Sequence, residues 1–337
     1  KQSSVKINLK SEGETYIPRI YQTKREGVFF AVTMNRLQNE YKLHKINAAA
    51  GFSQIILEIN AENYIELYDD LTFIDNNSFV MSHENSGYRH LYKYDMNGER
   101  QAQITKGYWE VTDFYGYDKE AGEYYFQAAK ESPLRREVYA MKNDGSSLRK
   151  LSENPGTNVF KFSDGFEYYI AEHSSANSPL KVSIHKKAGE EVRVLEDNKS
   201  LNKKFENNGF TKKEFFTLKA DDGTELNAWM IKPADFSKRK EYPVLMYTYG
   251  GPGSQTVTDS WDRNMAWWQM LAQKGYIIVS VDNRGTGARG RDFRQVTYGD
   301  LGRVEIKDQI AAAKQLRERK YIDADRIGMF GWSYGGY

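Results

Sequence analysis

The sequence has 337 residues, 39% of them hydrophobic and 28% charged, with a net charge of +2 and no cysteine. That composition suits a globular chain of about two domains, and so small a net charge gives no argument for nucleic acid or an acidic membrane surface. Without cysteine there is neither a disulfide nor a thiolate metal site. No apolar run is long enough to span a bilayer, and nothing in the segment marks a membrane contact.

The chain begins with Lys1 rather than methionine and stops four residues after Ser333, so both ends read as cut from a longer protein. The first two hundred residues carry a faint repeat. Short strand-like stretches start at Leu43, Leu91, Val138 and Val182, at intervals of 48, 47 and 44 residues. Each is preceded by another apolar strand (residues 28–32, 78–81, 124–126 and 168–170). Each is followed by a Gly-, Asn- or Ala-rich turn and a further short strand. Strands recurring at this period are the signature of four-stranded propeller blades, whose faces are buried only against neighbouring blades. A β-sandwich with accidental regularity is the rival. Four blades are too few for a large closed propeller, so the remainder is expected upstream of Lys1.

All five histidines, His44, His83, His90, His173 and His185, fall in this repeat region. Their spacing matches no metal site, and they read as surface or edge-strand residues. The acidic pairs Glu190-Glu191 and Asp221-Asp222 sit in Gly-containing turns and read as solvated.

Residues 199–214 are polar and lysine-rich, a linker or exposed helix between two domains, 1–198 and 199–337. Beyond it, Glu214 to Leu218 and Leu226 to Ile231 make a hairpin around the Asp221-Asp222-Gly223 turn. A buried strand from Tyr242 to Tyr249 ends in Gly250-Gly251-Pro252-Gly253. A helix is expected from Trp261 to Lys274 with a Gly275 stop. A strand from Tyr276 to Asp282 follows, and then a Gly-rich loop. A second helix, Val304 to Lys320, should bury Ile306, Ile310, Ala313 and Leu316 on one face. Asp323 to Arg326 leads into an apolar strand, Ile327 to Phe330. Such alternation of apolar strands with helices means a parallel sheet covered on both sides.

That last strand runs into Gly331-Trp332-Ser333-Tyr334-Gly335, the pattern Gly-x-Ser-x-Gly. A sharp strand-to-helix turn thrusts its serine out above the sheet, and the flanking glycines keep side chains out of the crowded turn. Ser333 is the candidate nucleophile, with the Tyr334 N–H as one oxyanion donor. An ordinary Gly/Ser turn is the bland alternative. The loop after an earlier strand supplies the second donor in this fold; here it reads Tyr249-Gly250-Gly251-Pro252, and Tyr249 can offer its phenol. The order of elements fits the first half of an α/β-hydrolase. A triad there runs Ser, then Asp or Glu, then His. Every histidine precedes Ser333, so the acid and base are expected beyond Tyr337.

The elbow through Tyr337, with Tyr249-Gly250-Gly251-Pro252 upstream, resembles the prolyl oligopeptidase family, and within it the dipeptidyl-peptidase branch. Gly87-Tyr88-Arg89-His90, residues 105–111 and 193–198, and Leu301-Gly302, Glu305 and Asp308-Gln309 add matches in order along nearly the whole chain. The resemblance implies a serine exopeptidase that removes N-terminal dipeptides with Pro or Ala in second position, acting on peptides without cofactor or metal. It implies Ser333 as nucleophile, with Tyr249 and the Tyr334 N–H in the oxyanion hole. For the parent protein it implies export, with the periplasm as the compartment, and a homodimer. The family's amine-anchoring glutamates and most of its proline pocket lie outside the matched stretch, and Glu190-Glu191 stands in the wrong place to substitute. Tripeptidyl, acylaminoacyl and oligopeptidase relatives share the elbow, and inactive interaction proteins also occur in the family. The segment by itself is expected to be inactive. It is also expected to fold poorly, because Ile327 to Phe330 would form an exposed apolar edge.

Overall fold

A computed structural model describes residues 4–9 and 13–337. Most regular structure is β. Four successive four-stranded sheets are followed by one five-stranded sheet with helices. The first holds β1 (Thr15–Gln22), β2 (Val28–Asn35), β3 (Glu40–Asn47) and β4 (Phe52–Asn60) in sequential order. The second holds β5 (Thr72–Phe73), β6 (Ser78–His83), β7 (His90–Asp95) and β8 (Arg100–Gln103). The third holds β9 (Val111–Asp118), β10 (Glu123–Ala128), β11 (Glu137–Lys142) and β12 (Leu148–Lys150). The fourth holds β13 (Thr157–Phe162), β14 (Tyr168–Ser175), β15 (Ser178–Lys186) and β16 (Glu191–Glu196).

The chain forms two compact units. One comprises residues 1–107, 116–124 and 141–147; the other comprises 108–115, 125–140 and 148–337. In the first unit, two sheets share a core. Phe30, Val32 and Leu43 of one meet Phe79, Met81 and Tyr92 of the other. Phe30 and Phe79 pack edge to face, with ring centroids 5.3 Å apart, a favoured aromatic geometry.

The three strands read from sequence in each repeat are the second, third and fourth of each sheet. The first strand escaped notice each time. β1 is an edge strand interrupted by Pro18 and half exposed, the setting in which proline is tolerated, and β5 is only two residues long. The histidines need a correction. All five lie on inner strands, and three are buried: His44 and His90 are 0% exposed and His83 5%. Each of the three has at least one ring nitrogen in a hydrogen bond, as when His44 Nε2 meets Thr33 Oγ1 at 2.8 Å, while the buried His44 Nδ1 has no partner. A histidine with a hydrogen-bonded ring costs little to bury, so its polarity is no guide to exposure.

In the second unit, α1 (Lys199–Asn207) has no buried residue. The hairpin β17 (Glu214–Lys219) and β18 (Glu225–Ile231) follows, then β19 (Tyr242–Thr248), α2 (Met265–Gln273), β20 (Ile277–Val281), α3 (Arg291–Gln295), α4 (Arg303–Arg317) and β21 (Ile322–Gly331). The sheet order is β17-β18-β20-β19-β21. The hairpin joins antiparallel, while β20, β19 and β21 run parallel. Alternation along the strands sorts residues to two faces. Ala228, Met230, Val244, Met246 and Val279 pack with Ala312 and Leu316 of α4. Trp229, Ile231 and Ile278 pack with Met265, Trp268 and Ala272 of α2. Each fully buried aliphatic chain here contributes about 1.5–3 kcal/mol.

Two helix expectations are corrected. The first helix starts at Met265, not Trp261, because Asp262 caps a turn by accepting the Asn264 N–H at 2.8 Å. Only part of the face expected on α4 is buried: Ala313 and Leu316 pack on the core, but the first two residues do not. Ile306 and Ile310 are 55% and 49% exposed, whereas Glu305, Asp308 and Gln309 are buried with Leu316. The reason is that hydrogen-bond partners from distant loops meet those polar groups, as described next.

Candidate active site

β21 and β19 pair in parallel so that Gly331 lies opposite Thr248. Both strands therefore finish at one edge of the sheet, and the loops leaving them meet. Carboxyl ends of parallel strands are where open α/β sheets place their ligands. Asp323 to Arg326 are looped out of the register, closed by Asp323 accepting from Asp325 N–H at 3.1 Å and Arg326 Nε at 2.6 Å.

After β21, Trp332 is still extended, and Ser333 then turns into the left-handed region at φ 54. A single 3₁₀ turn, Ser333–Gly336, follows, and Ser333 is exposed. The glycines around it answer to sterics. A Cβ on Gly331 would lie 1.9 Å from the Gly335 carbonyl oxygen, and one on Gly335 would lie 2.1 Å from the Thr248 carbonyl oxygen. A Cβ on Gly336 would meet nothing nearer than 3.7 Å. The Tyr334 N–H lies in the first turn, where helical N–H groups have no intrahelical acceptor.

Beyond Thr248, Tyr249 is half-buried. Its ring and that of Tyr334 are 6.3 Å apart at 46°. Gly251 fits between them: a Cβ there would come within 2.8 Å of Tyr249 Cε1 and 3.3 Å of Tyr334 Cγ. Ser333, Tyr249 and Tyr334, three residues singled out from sequence, thus belong to one cluster of loops.

Helix α4 underlies this cluster. Glu305 Oε2 accepts the Gly302 N–H at 3.1 Å, while Oε1 accepts the Tyr334 hydroxyl at 2.5 Å. Burial and then Glu305 push the Tyr334 phenol well above its ordinary value, so the hydroxyl stays protonated and donates. Asp308, 0% exposed, accepts the Arg284 N–H at 2.8 Å and its guanidinium at 2.7 Å. Arg284 also reaches Asp222, so one of the acidic turns is an anchor as well as a turn. At the end of β20, Asp282 is buried and accepts Thr256 N–H, Thr256 Oγ1 and Val257 N–H at 2.8, 2.8 and 3.1 Å. Burial nonetheless raises its carboxyl to about 6. None of Glu305, Asp308 or Asp282 had been assigned a role from sequence. For Glu305 and Asp308 the signals were their place in the family resemblance and, with Gln309, their spacing at i, i+3 and i+4 along one side of the helix.

The histidines are engaged within their own sheets. His90 contacts Thr105 Oγ1 and the Gly107 carbonyl, each at 3.0 Å, and His173 contacts Asn158 Oδ1 at 3.1 Å. His185 meets Ser183 Oγ at 2.8 Å and the Gly189 carbonyl at 3.0 Å. Glu190 and Glu191 pair with Lys186 and Lys181 at the surface. Among the described residues no group of three His, Cys, Asp or Glu side chains could hold a metal ion, and no helix is long and apolar enough to cross a membrane.

Known proteins carry the same combination. Residues 1–180 match the family described as the dipeptidyl peptidase IV N-terminal region, and residues 262–337 match the prolyl oligopeptidase family. The chain belongs to the prolyl oligopeptidase family, in its dipeptidyl peptidase IV branch. The crystal structure of Porphyromonas gingivalis dipeptidyl peptidase 4 is 42% identical and superposes with a TM-score of 0.94, covering 98% of this chain and 47% of that one. Dipeptidyl peptidase 4 of Arthroderma otae is 31% identical over 313 residues, covering 90% of this chain and 40% of the relative. The Trichophyton equinum protein of the same name is similar to the same extent. The chain spans less than half the length of these relatives.

Proposed function

We propose that the whole protein is a serine exopeptidase releasing N-terminal dipeptides, with Pro or Ala as the second residue, through an acyl-enzyme at Ser333. In this reading residues 1–198 are four blades of a β-propeller, and residues 199–337 are the first part of an α/β-hydrolase domain. The observation that carries it is the left-handed, exposed Ser333 at the end of a parallel strand, flanked by Tyr249 and the Tyr334 N–H. Family membership and the names of the relatives support the same activity.

The chemistry follows from that arrangement. Ser333 Oγ attacks the carbonyl carbon of the second substrate residue, and the carbonyl oxygen becomes an oxyanion. The Tyr249 hydroxyl and the Tyr334 N–H donate to it, so that charge develops against fixed dipoles rather than disordered water. Collapse expels the shortened peptide as an amine and leaves the dipeptide esterified to Ser333, which water then releases. A general base must take the serine proton. The Ser, Asp, His order of this fold puts that base later in the chain than Ser333, and all five histidines precede it.

The test compares hydrolysis of Gly-Pro-, Ala-Ala-Pro- and acetyl-Ala-anilides by the whole protein. Gly-Pro-anilide should be the preferred substrate. Ser333→Ala should lower kcat by about 10⁶-fold, the scale seen when a catalytic serine is removed, and should abolish fluorophosphonate labelling. Labelling that persists in that variant would move the nucleophile elsewhere. Preference for the tripeptidyl or acetylated substrate would reassign the cleavage.

A further inference from the structure

Gln309 is 6% exposed and uses only one end of its amide. Nε2 donates to the Val281 carbonyl at 2.9 Å and to Asn283 Oδ1 at 3.1 Å, with Thr248 Oγ1 at 3.4 Å. Oε1 is buried and has no partner. Only an N–H can face the Val281 carbonyl, so the orientation of this amide is fixed by its surroundings. The same holds for Asn283, which is 0% exposed. Its Nδ2 donates to the Gly250 carbonyl at 3.0 Å and to the Arg284 carbonyl at 2.6 Å, which leaves Oδ1 for Gln309.

These bonds form a directed relay from α4 through the end of β20 to the turn that follows Tyr249. Gly250 is the receiving end. It sits at φ 67, and a Cβ there would lie 2.5 Å from Asn283 Oδ1. The asparagine amide therefore leaves no room for a side chain at this turn and holds its carbonyl. We infer that Gln309 and Asn283 are positioning residues for the Tyr249 half of the oxyanion hole, an inference that rests on the function proposed above. Neither needs to touch substrate. Glu305 has the parallel task on the other side, holding the Tyr334 ring by its hydroxyl. One turn of α4 thus serves both donors, and the unpartnered Gln309 oxygen reflects a side chain committed through its nitrogen. A buried polar atom left without a partner costs stability, so its retention calls for a reason of this kind.

The experiment uses the whole protein with Gly-Pro-anilide. Gln309→Met keeps the length of the side chain and removes the donor; Asn283→Leu keeps the branched shape and removes the donor at the next link, and gives an independent reading should the first variant fold poorly. Each folded variant should lose about 10²-fold in kcat, the scale of a small misplacement of a catalytic group, with KM almost unchanged. Adding Tyr249→Phe to either should cost far less than it does in the wild type, because the hydroxyl is already out of place. Wild-type kcat in both folded variants, or full additivity with Tyr249→Phe, would overturn the inference. Should Tyr249→Phe alone leave kcat unchanged, the oxyanion role of Tyr249 falls and this inference falls with it. An impaired Tyr249→Phe beside unimpaired relay variants removes the relay alone.

Discussion

The buried histidines of the antiparallel sheets and the polar stripe of α4 pose the same physical problem and solve it differently. His83 bonds the Tyr94 hydroxyl at 2.8 Å and stacks on Tyr92 with centroids 3.8 Å apart, so its partners lie on the next strand, eleven and nine positions along. The stripe on α4 takes its partners from far off. Glu305 holds Tyr334, Asp308 holds Arg284, and Gln309 holds Asn283. A polar group satisfied within its own hairpin stiffens that hairpin. One satisfied across loops sets where those loops lie, and here the loops carry Tyr249 and Tyr334.

The comparison predicts that damage at the elbow and its loops should appear in kcat, and damage in the sheets only in stability. Tyr249→Phe removes one hydroxyl from the cluster. It should cost about 10²–10³ in kcat, or roughly 3–4 kcal/mol, with the melting temperature unchanged; near-normal kcat would leave Tyr249 merely structural. Gly335→Ala should destabilise the fold by about 1–3 kcal/mol, as overpacking does, because its Cβ would run into the Thr248 carbonyl. Gly336→Ala, where a Cβ would make only an ordinary contact at 3.7 Å, is the control and should unfold like the wild type. Equal melting temperatures for the two alanine variants would show that the elbow is not sterically closed.

The prediction with the smallest effect on kcat is the sharpest test of the sheets. Burial lowers the His83 imidazole from 6.5 to about 4. The unfolded chain therefore binds the proton first as pH falls, and stability drops between about pH 6.5 and 4. The shift corresponds to about 3 kcal/mol. The contribution is fully present above 6.5 and lost as pH falls through 4. His83→Gln should flatten the dependence of the melting temperature on pH over this window, at unchanged kcat for Gly-Pro-anilide at neutral pH. An identical slope in the variant would show that His83 is already charged in the fold.

What could be read in the sequence follows the range of the forces involved. The second to fourth strands of each sheet announced themselves through apolar clusters such as Phe29-Phe30 and Tyr124-Tyr125-Phe126. The first strands did not: β1 carries apolar residues but is interrupted by Pro18, β5 is only two residues long, and both take their pairing from β2 and β6. On α4 the helical period was legible and the buried side was not. Hydrophobicity votes for Ile306 and Ile310, but three polar groups with partners 24 to 29 positions away outweigh it.

The elbow was legible in the sequence because part of its constraint is local. A side chain on Gly331 is barred by the Gly335 carbonyl only four residues on, while Gly335 is closed in addition by the Thr248 carbonyl of the neighbouring strand. The loop after Tyr249 is different. Its glycines permit many conformations, and only the folded sheet selects one, by bringing Asn283 against Gly250 and Thr248 alongside Gly331. The motifs could name Tyr249, Ser333 and Tyr334 as candidates, but their placement required β19, β20, β21 and α4 to assemble, since hydrogen bonds between groups far apart in sequence exist only once the chain has closed around them.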